Sequence, residues 1–161
     1  MKYYTKDWCF GKLSDEEIEK MDQKYNSYIN KIYSKLPFTI KLLARGINLH
    51  DGIIKKIKLS PRINALFLEG IFGDLQTGYF SMEIKYIDIK EIDSTTFAGL
   101  KNNKIEILSH EFEAVSDKRY VHRMIFSSGD ELEIVFSDIS INIQNLEPTS
   151  YKKSECAFEV L

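Results

Sequence analysis

The spacing of apolar residues changes period once along this chain, near residue 52. Ahead of that point it is helical. Ser14-Asp15-Glu16-Glu17 has the form of a capping box, in which the serine hydroxyl accepts from the amide three residues on and the glutamate reaches back. From Ile18, apolar side chains recur at Met21, Tyr25, Tyr28, Ile29, Ile32, Tyr33 and Leu36, one stripe at the 3.6-residue period, until Pro37 interrupts it. This predicts an amphipathic helix over 15–36. Its tyrosines could face a partner, but a stripe of this kind more simply covers a sheet. Pro37 suits the first turn of a second, short helix over 37–45, with Gly46 as a left-handed stop.

After the turn-like Asn48-Leu-His-Asp-Gly52 the pattern becomes period two, as expected of strands with one wet and one buried face. Candidate strands run over Ile53–Leu59, Ala65–Phe72 and Tyr79–Tyr86, three more fall within Lys104–Phe136, and another covers Ile139–Ile143. The expected class is therefore α+β: an N-terminal amphipathic helix and a short second helix packed on an antiparallel, rolled or barrel-like sheet of about seven strands. At 161 residues the chain is read as one domain, 1–161. Its parts are a helical segment 1–46, an antiparallel meander 53–144 and a C-terminal loop 147–161 that includes a candidate edge strand.

Within the 104–136 stretch, loop length decides which side chains meet. Three-residue loops at Asp117–Arg119 and Ser128–Asp130 place Phe112 opposite Met124, Met124 opposite Ile134 and Glu113 opposite Arg123, leaving one apolar face and one of paired charge. Two-residue loops would set Phe112 against Arg123 and bury an unpaired guanidinium at a cost of several kcal/mol. The longer loops are expected.

Charge removes whole classes of partner. With 22 Lys+Arg against 24 Asp+Glu the formal net charge is -2, so no global field draws the chain to nucleic acid or anionic membrane. The basic cluster Lys55-Lys56-Ile57-Lys58 with Arg62 is small, and it splits between two strand faces. No apolar run approaches the roughly 20 residues of a membrane helix. Cys9 and Cys156 lie far apart with no Cys-x-x-Cys spacing, and no signal-like segment follows Met1, so a cytoplasmic protein with free thiols is expected.

Each constellation that might carry chemistry has a structural competitor. His110 and His122 share a face in the expected register but stand about 13 Å apart, too far to share one ion. No metal or other cofactor is expected. His50-Asp51 has the form of an oriented general base, but it also has the form of a turn. Glu111, Glu113, Glu131 and Glu133 gather on one sheet face and invite a hydrolase reading, while a solvated face with Arg123 among the acids explains them more simply. Gly73-Asp-Leu-Gln-Thr-Gly78 lacks the lysine and following helix of a phosphate loop. Cys9 has no neighbouring base.

Met1-Lys-Tyr-Tyr-Thr-Lys-Asp7, Ile47-Asn-Leu-His-Asp51, Gly73-Asp-Leu-Gln-Thr-Gly-Tyr79 and Arg119-Tyr-Val-His-Arg123 together resemble an uncharacterised bacterial family, a domain of unknown function seen mostly in Gram-positive species. The resemblance covers most of the chain and implies no activity. Its pattern leads one to expect a glycine in the Asp117 turn, where this chain has Lys118, which argues against a two-residue type I′ turn.

By elimination the residues point to a non-catalytic cytoplasmic module that binds a protein partner, of the immunity or regulatory type. Tyr79, Arg119, Tyr120, His122 and Arg123 near the loop ends are the candidate binding residues, since tyrosine and arginine are enriched at binding hot spots. The rival readings are a small-ligand barrel, which needs a cavity between helix and sheet, and a hydrolase using the acidic face or His50-Asp51, which needs either to line a cleft.

Overall fold

A computed structural model describes residues 1–76, 78–93 and 105–146; the 147–161 segment, including its candidate edge strand, lies outside them. Thr5 caps a single helical turn, α1 (Lys6–Cys9), through its side chain. The main helix, α2 (Asp15–Tyr33), starts at the expected capping box, with Ser14 N–H donating to the Glu17 carboxylate at 2.9 Å. Pro37 opens α3 (Phe38–Lys41), which widens into a π turn over Leu42–Gly46 closed by Ile47 N–H on the Leu42 carbonyl at 2.9 Å. The wide turn ends the helix, so Gly46 does not take the expected left-handed conformation.

Strands β1 (Ile53–Ser60), β2 (Ala65–Asp74), β3 (Gly78–Ile87), β4 (Glu91–Ile92), β5 (Ile105–Ser116), β6 (Arg119–Phe126), β7 (Glu131–Phe136) and β8 (Asp138–Asn145) form one sheet in the order β4-β7-β6-β5-β1-β2-β3-β8. Every pairing is antiparallel. The class is α+β as expected. The sheet is rolled but not closed, and the strand the periodicity missed is β4, whose two residues are too short to show a period. Rolling brings the Tyr86 ring of β3 to 5.1 Å from Phe136 of β7 and 5.8 Å from His122 of β6.

Among the described residues the two halves of the sheet meet through two residue pairs, Ile53–Glu106 and Ile54–Ile105, and because β1 begins at Ile53 it does not run alongside β5 beyond Ile107. The amides this leaves on β5 are taken by the helix. Phe112 N–H donates to the Tyr25 hydroxyl at 2.8 Å and Ala114 N–H to the Tyr28 hydroxyl at 2.9 Å. Left buried without a partner, each would cost about 1–3 kcal/mol. The tyrosines of the helical stripe thus cover apolar core with their rings and cap a strand edge with their hydroxyls.

The register within the meander differs from expectation by two residues. Phe112 lies opposite His122, Glu111 opposite Arg123 and Met124 opposite Leu132. A shift of two preserves faces, so Phe112, His122 and Ile134 still point to the core while Glu111, Arg123 and Glu133 share the other side. The reason lies in the turns. The first loop has two residues, Asp117-Lys118, with Lys118 itself in the left-handed region at φ 53° and the register slipping by one between Ala114 and Ser116. The extra residue sits in the strand, at a bulge on Val115, rather than in the loop, so Arg119 is paired with Ser116. The second loop does have three residues, Ser127–Gly129, one position earlier than expected, with Gly129 at φ 83° and Phe126 N–H donating to the Asp130 carbonyl at 3.0 Å.

Candidate functional site

Consecutive residues of β6 lead into two different polar clusters. Arg123 faces outward, its Nη1 2.8 Å from Glu113 and 3.7 Å from Glu111, its Nε on Glu133. Glu113 therefore pairs with Arg123 diagonally rather than from the directly opposite position. Burial raises the Glu113 pKa, but the Lys2 ammonium and the Arg123 guanidinium outweigh it and hold the carboxyl below its usual range. Glu111 is 1% exposed and accepts from three consecutive main-chain amides, those of Lys2, Tyr3 (2.8 Å) and Tyr4 (3.3 Å). Lys2 Nζ sits on Glu113 and the Met1 amino group lies 2.7 Å from Glu131. The acidic face is thus not simply solvated. Residues 1–4 lie across Glu111 and Glu113, while Glu131 and Glu133, paired with the Met1 amino group and Arg123, line a cleft of about 380 Å³ together with Glu91 and Asp93.

His122 faces inward. Its Nδ1 lies 2.7 Å from the Tyr86 hydroxyl and its Nε2 3.2 Å from Nδ1 of His110. The two histidines that the expected register separated by about 13 Å are in contact, because the two-residue shift makes them diagonal neighbours. Burial lowers both imidazoles, His122 well below its ordinary value and His110, with help from the charge of His50, to about 4. Both are neutral at pH 7. Among the described residues, no group of three or more His, Cys, Asp or Glu side chains is arranged to hold a metal.

The five candidate binding residues do not form one surface. Tyr120 is 6%, His122 0% and Arg123 9% exposed. Tyr120 packs between Phe112 and Phe136 at ring separations of 5.6 and 5.9 Å. Arg119 is exposed and paired with Glu91 at 2.8 Å. Tyr79 stands on the other half of the sheet, opposite Gly73 in the β2–β3 hairpin. Burial, then the charges of Glu131 and Glu111, push the Cys9 thiol up to about 11, so it is not a thiolate nucleophile at neutral pH.

His50 and Asp51, weighed above chiefly as a turn, line a concave surface. A second irregularity in β5, between Ile107 and Ser109, frees the Leu108 carbonyl, which accepts from His50 Nδ1 at 2.6 Å, while Nε2 faces Asp51 at 3.2 Å. A general base needs one ring nitrogen held by its orienting carboxylate and the other turned to substrate. Here both are occupied within the chain. On one side of His50 is a cleft of about 470 Å³ lined by Asn48, Asp51, Asp74, Phe80, Ile143 and Asn145 among others. On the other, between α2 and β5, is a pocket of about 320 Å³ lined by Tyr4, Trp8, Asp22, Tyr25, His50 and His110 among others. The sequence carried no sign of either, because each is assembled from several segments that are separate along the chain.

No family model matches the chain, and no curated protein matches it. Among solved structures it is similar to an uncharacterized protein from Neisseria gonorrhoeae, with 21% identity over 62% of this chain and 95% of that one and a TM-score of 0.38. No helix of the described residues is long and apolar enough to cross a membrane.

Proposed function

We propose that the protein is a non-catalytic cytoplasmic module of the immunity or regulatory type, and that it binds a protein partner at the cleft beside His50 rather than through the 119–123 segment. The observation that carries this reading is the make-up of the cleft mouth. Phe80 and the exposed Ile143 supply apolar lining, Asn48, His50, Asp51 and Asn145 supply polar lining, and Leu75, 91% exposed, stands in the turn whose preceding residues, Gly73 and Asp74, also line the cleft. Exposed apolar side chains interleaved with polar groups suit a protein interface, and an isolated exposed leucine beside such a depression is a natural anchor. Two of the segments that carry the family resemblance, 47–51 and 73–79, supply much of the lining.

A photocrosslinking residue placed at 143 or 75 in living cells is expected to give the same discrete protein adduct, absent when the probe is placed at Lys24 on the outer face of α2. Leu75→Asp should abolish the adduct without moving the melting temperature. Equal adducts from all three positions, or none from the cleft, would refute the reading.

A further inference from the structure

The pocket between α2 and β5 contains the open end of the buried Tyr86–His122–His110 line, and the direction of that line can be worked out. The described contacts of the Tyr86 hydroxyl comprise His122 Nδ1 alone, and the residue is fully buried. If His122 donated to Tyr86, the phenolic proton would be left buried without an acceptor, at a cost of about 1–3 kcal/mol. Tyr86 O–H therefore donates to His122 Nδ1. A neutral imidazole with one nitrogen accepting must carry its proton on the other, so His122 Nε2–H donates to His110 Nδ1, and His110 in turn carries its proton on Nε2. Burial holds the Tyr86 phenol protonated and both imidazoles neutral, as this relay requires.

His110 Nε2 has no partner among the described residues and is not sealed from solvent, since the single buried side-chain donor or acceptor left unpartnered among them is Trp8 Nε1. The relay thus ends in an N–H in the pocket. The walls also include the rings of Tyr4, Trp8 and Tyr25, the polar side chains of Asn48 and His50, and Asp22, whose charge helps burial to raise the Tyr4 phenol. A donor at the floor asks for an acceptor oxygen, aromatic walls ask for a flat ligand, and the Asp22 carboxylate opposes an anion while favouring a ligand N–H.

We propose that this pocket binds a small neutral planar ligand bearing a carbonyl beside an N–H, of the aromatic carboxamide class, with its carbonyl oxygen on His110 Nε2–H. The volume of about 320 Å³ lies at the lower end of the roughly 300–1,000 Å³ of small-molecule sites. This site lies across His50 from the proposed protein-binding cleft and does not depend on it. It is also where the ligand-barrel reading required a cavity, between helix and sheet rather than inside a closed barrel.

The chain has one tryptophan, Trp8, and it lines the pocket, so its emission reports occupancy directly. Benzamide, benzoate and benzylamine serve as neutral, anionic and cationic probes of one shape. Benzamide is expected to change Trp8 emission saturably and to bind at least about tenfold tighter than either charged analogue. His110→Phe should weaken it by about tenfold or more, and His110→Gln, which keeps an N–H donor, by about threefold or less. Long-range nitrogen NMR of the unaltered protein should find His110 and His122 both protonated on Nε2, a readout that stands even if His110→Phe fails to fold. A charged analogue that binds as tightly as benzamide, no saturable response to any of the three, or an Nδ1-protonated His110 would each overturn the proposal.

Discussion

Arg123 and His122 are neighbours in sequence, yet the clusters they enter obey opposite rules. Around Arg123 every described charge is answered: Glu111, Glu113 and Glu133 share one guanidinium, and residues 1–4 supply amides, an ammonium and an amino group to the same patch. Around His122 the polar groups form a single file with one sealed end at Tyr86 and one open end at His110. A saturated network fastens the fold. A file that ends in an unused donor beside a pocket leaves something for a ligand to complete. Strand alternation alone, one residue up and the next down, accounts for the separation.

The comparison is broken most severely by removing Glu111. Glu111→Ala leaves three main-chain amides without their acceptor and Arg123 short of a carboxylate, and is expected to cost about 3–5 kcal/mol of unfolding free energy in denaturant titrations. A loss below about 1 kcal/mol would mean that residues 1–4 are not held as described.

Acid should separate the two clusters. His110 has its pKa lowered to about 4 in the folded chain, against about 6.5 unfolded, so between those values the unfolded state binds more protons and stability falls as pH drops from about 6.5. The Arg123 network responds later. Glu113 is held below the ordinary carboxylate value, and its contribution is full above about 4.3 and lost only as pH falls through the lower folded pKa. Unfolding free energy measured against pH should therefore decline by on the order of 2–3 kcal/mol between pH 6.5 and 4 from His110 alone, with His122 adding to the fall. His110→Gln should shrink that limb, with His122 supplying what is left of it, and leave the steeper acid limb in place. A curve flat to pH 4.5 would show that the histidines are not buried neutral.

The smallest effect is expected at the exposed end of β6. Arg119 and Glu91 form a surface pair, so Arg119→Ala should change unfolding free energy by no more than about 0.5 kcal/mol. It should also leave the cleft crosslink intact. A loss of crosslinking there would return the 119–123 segment to the interface.

The sequence by itself determined the elements whose causes are local. The capping box and 3.6-residue stripe of α2, the antiparallel strands with their alternating faces, and the assignment of Phe112 inward and Glu111 outward all follow from patterns within a few residues, and all are present. Face assignment survived even a wrong register, because a slip of two residues leaves every side chain on its own side. What only the tertiary structure decided was distance across strands. Whether His110 meets His122 depended on a bulge near Val115 that traded a loop residue for a strand residue, and strand alternation does not distinguish the two. The role of residues 1–4, the tyrosine hydroxyls on the β5 edge and the two concavities beside His50 likewise arise where segments remote in sequence converge. A one-dimensional pattern records which way a side chain points, but the group it reaches is set by turns, bulges and the roll of the whole sheet.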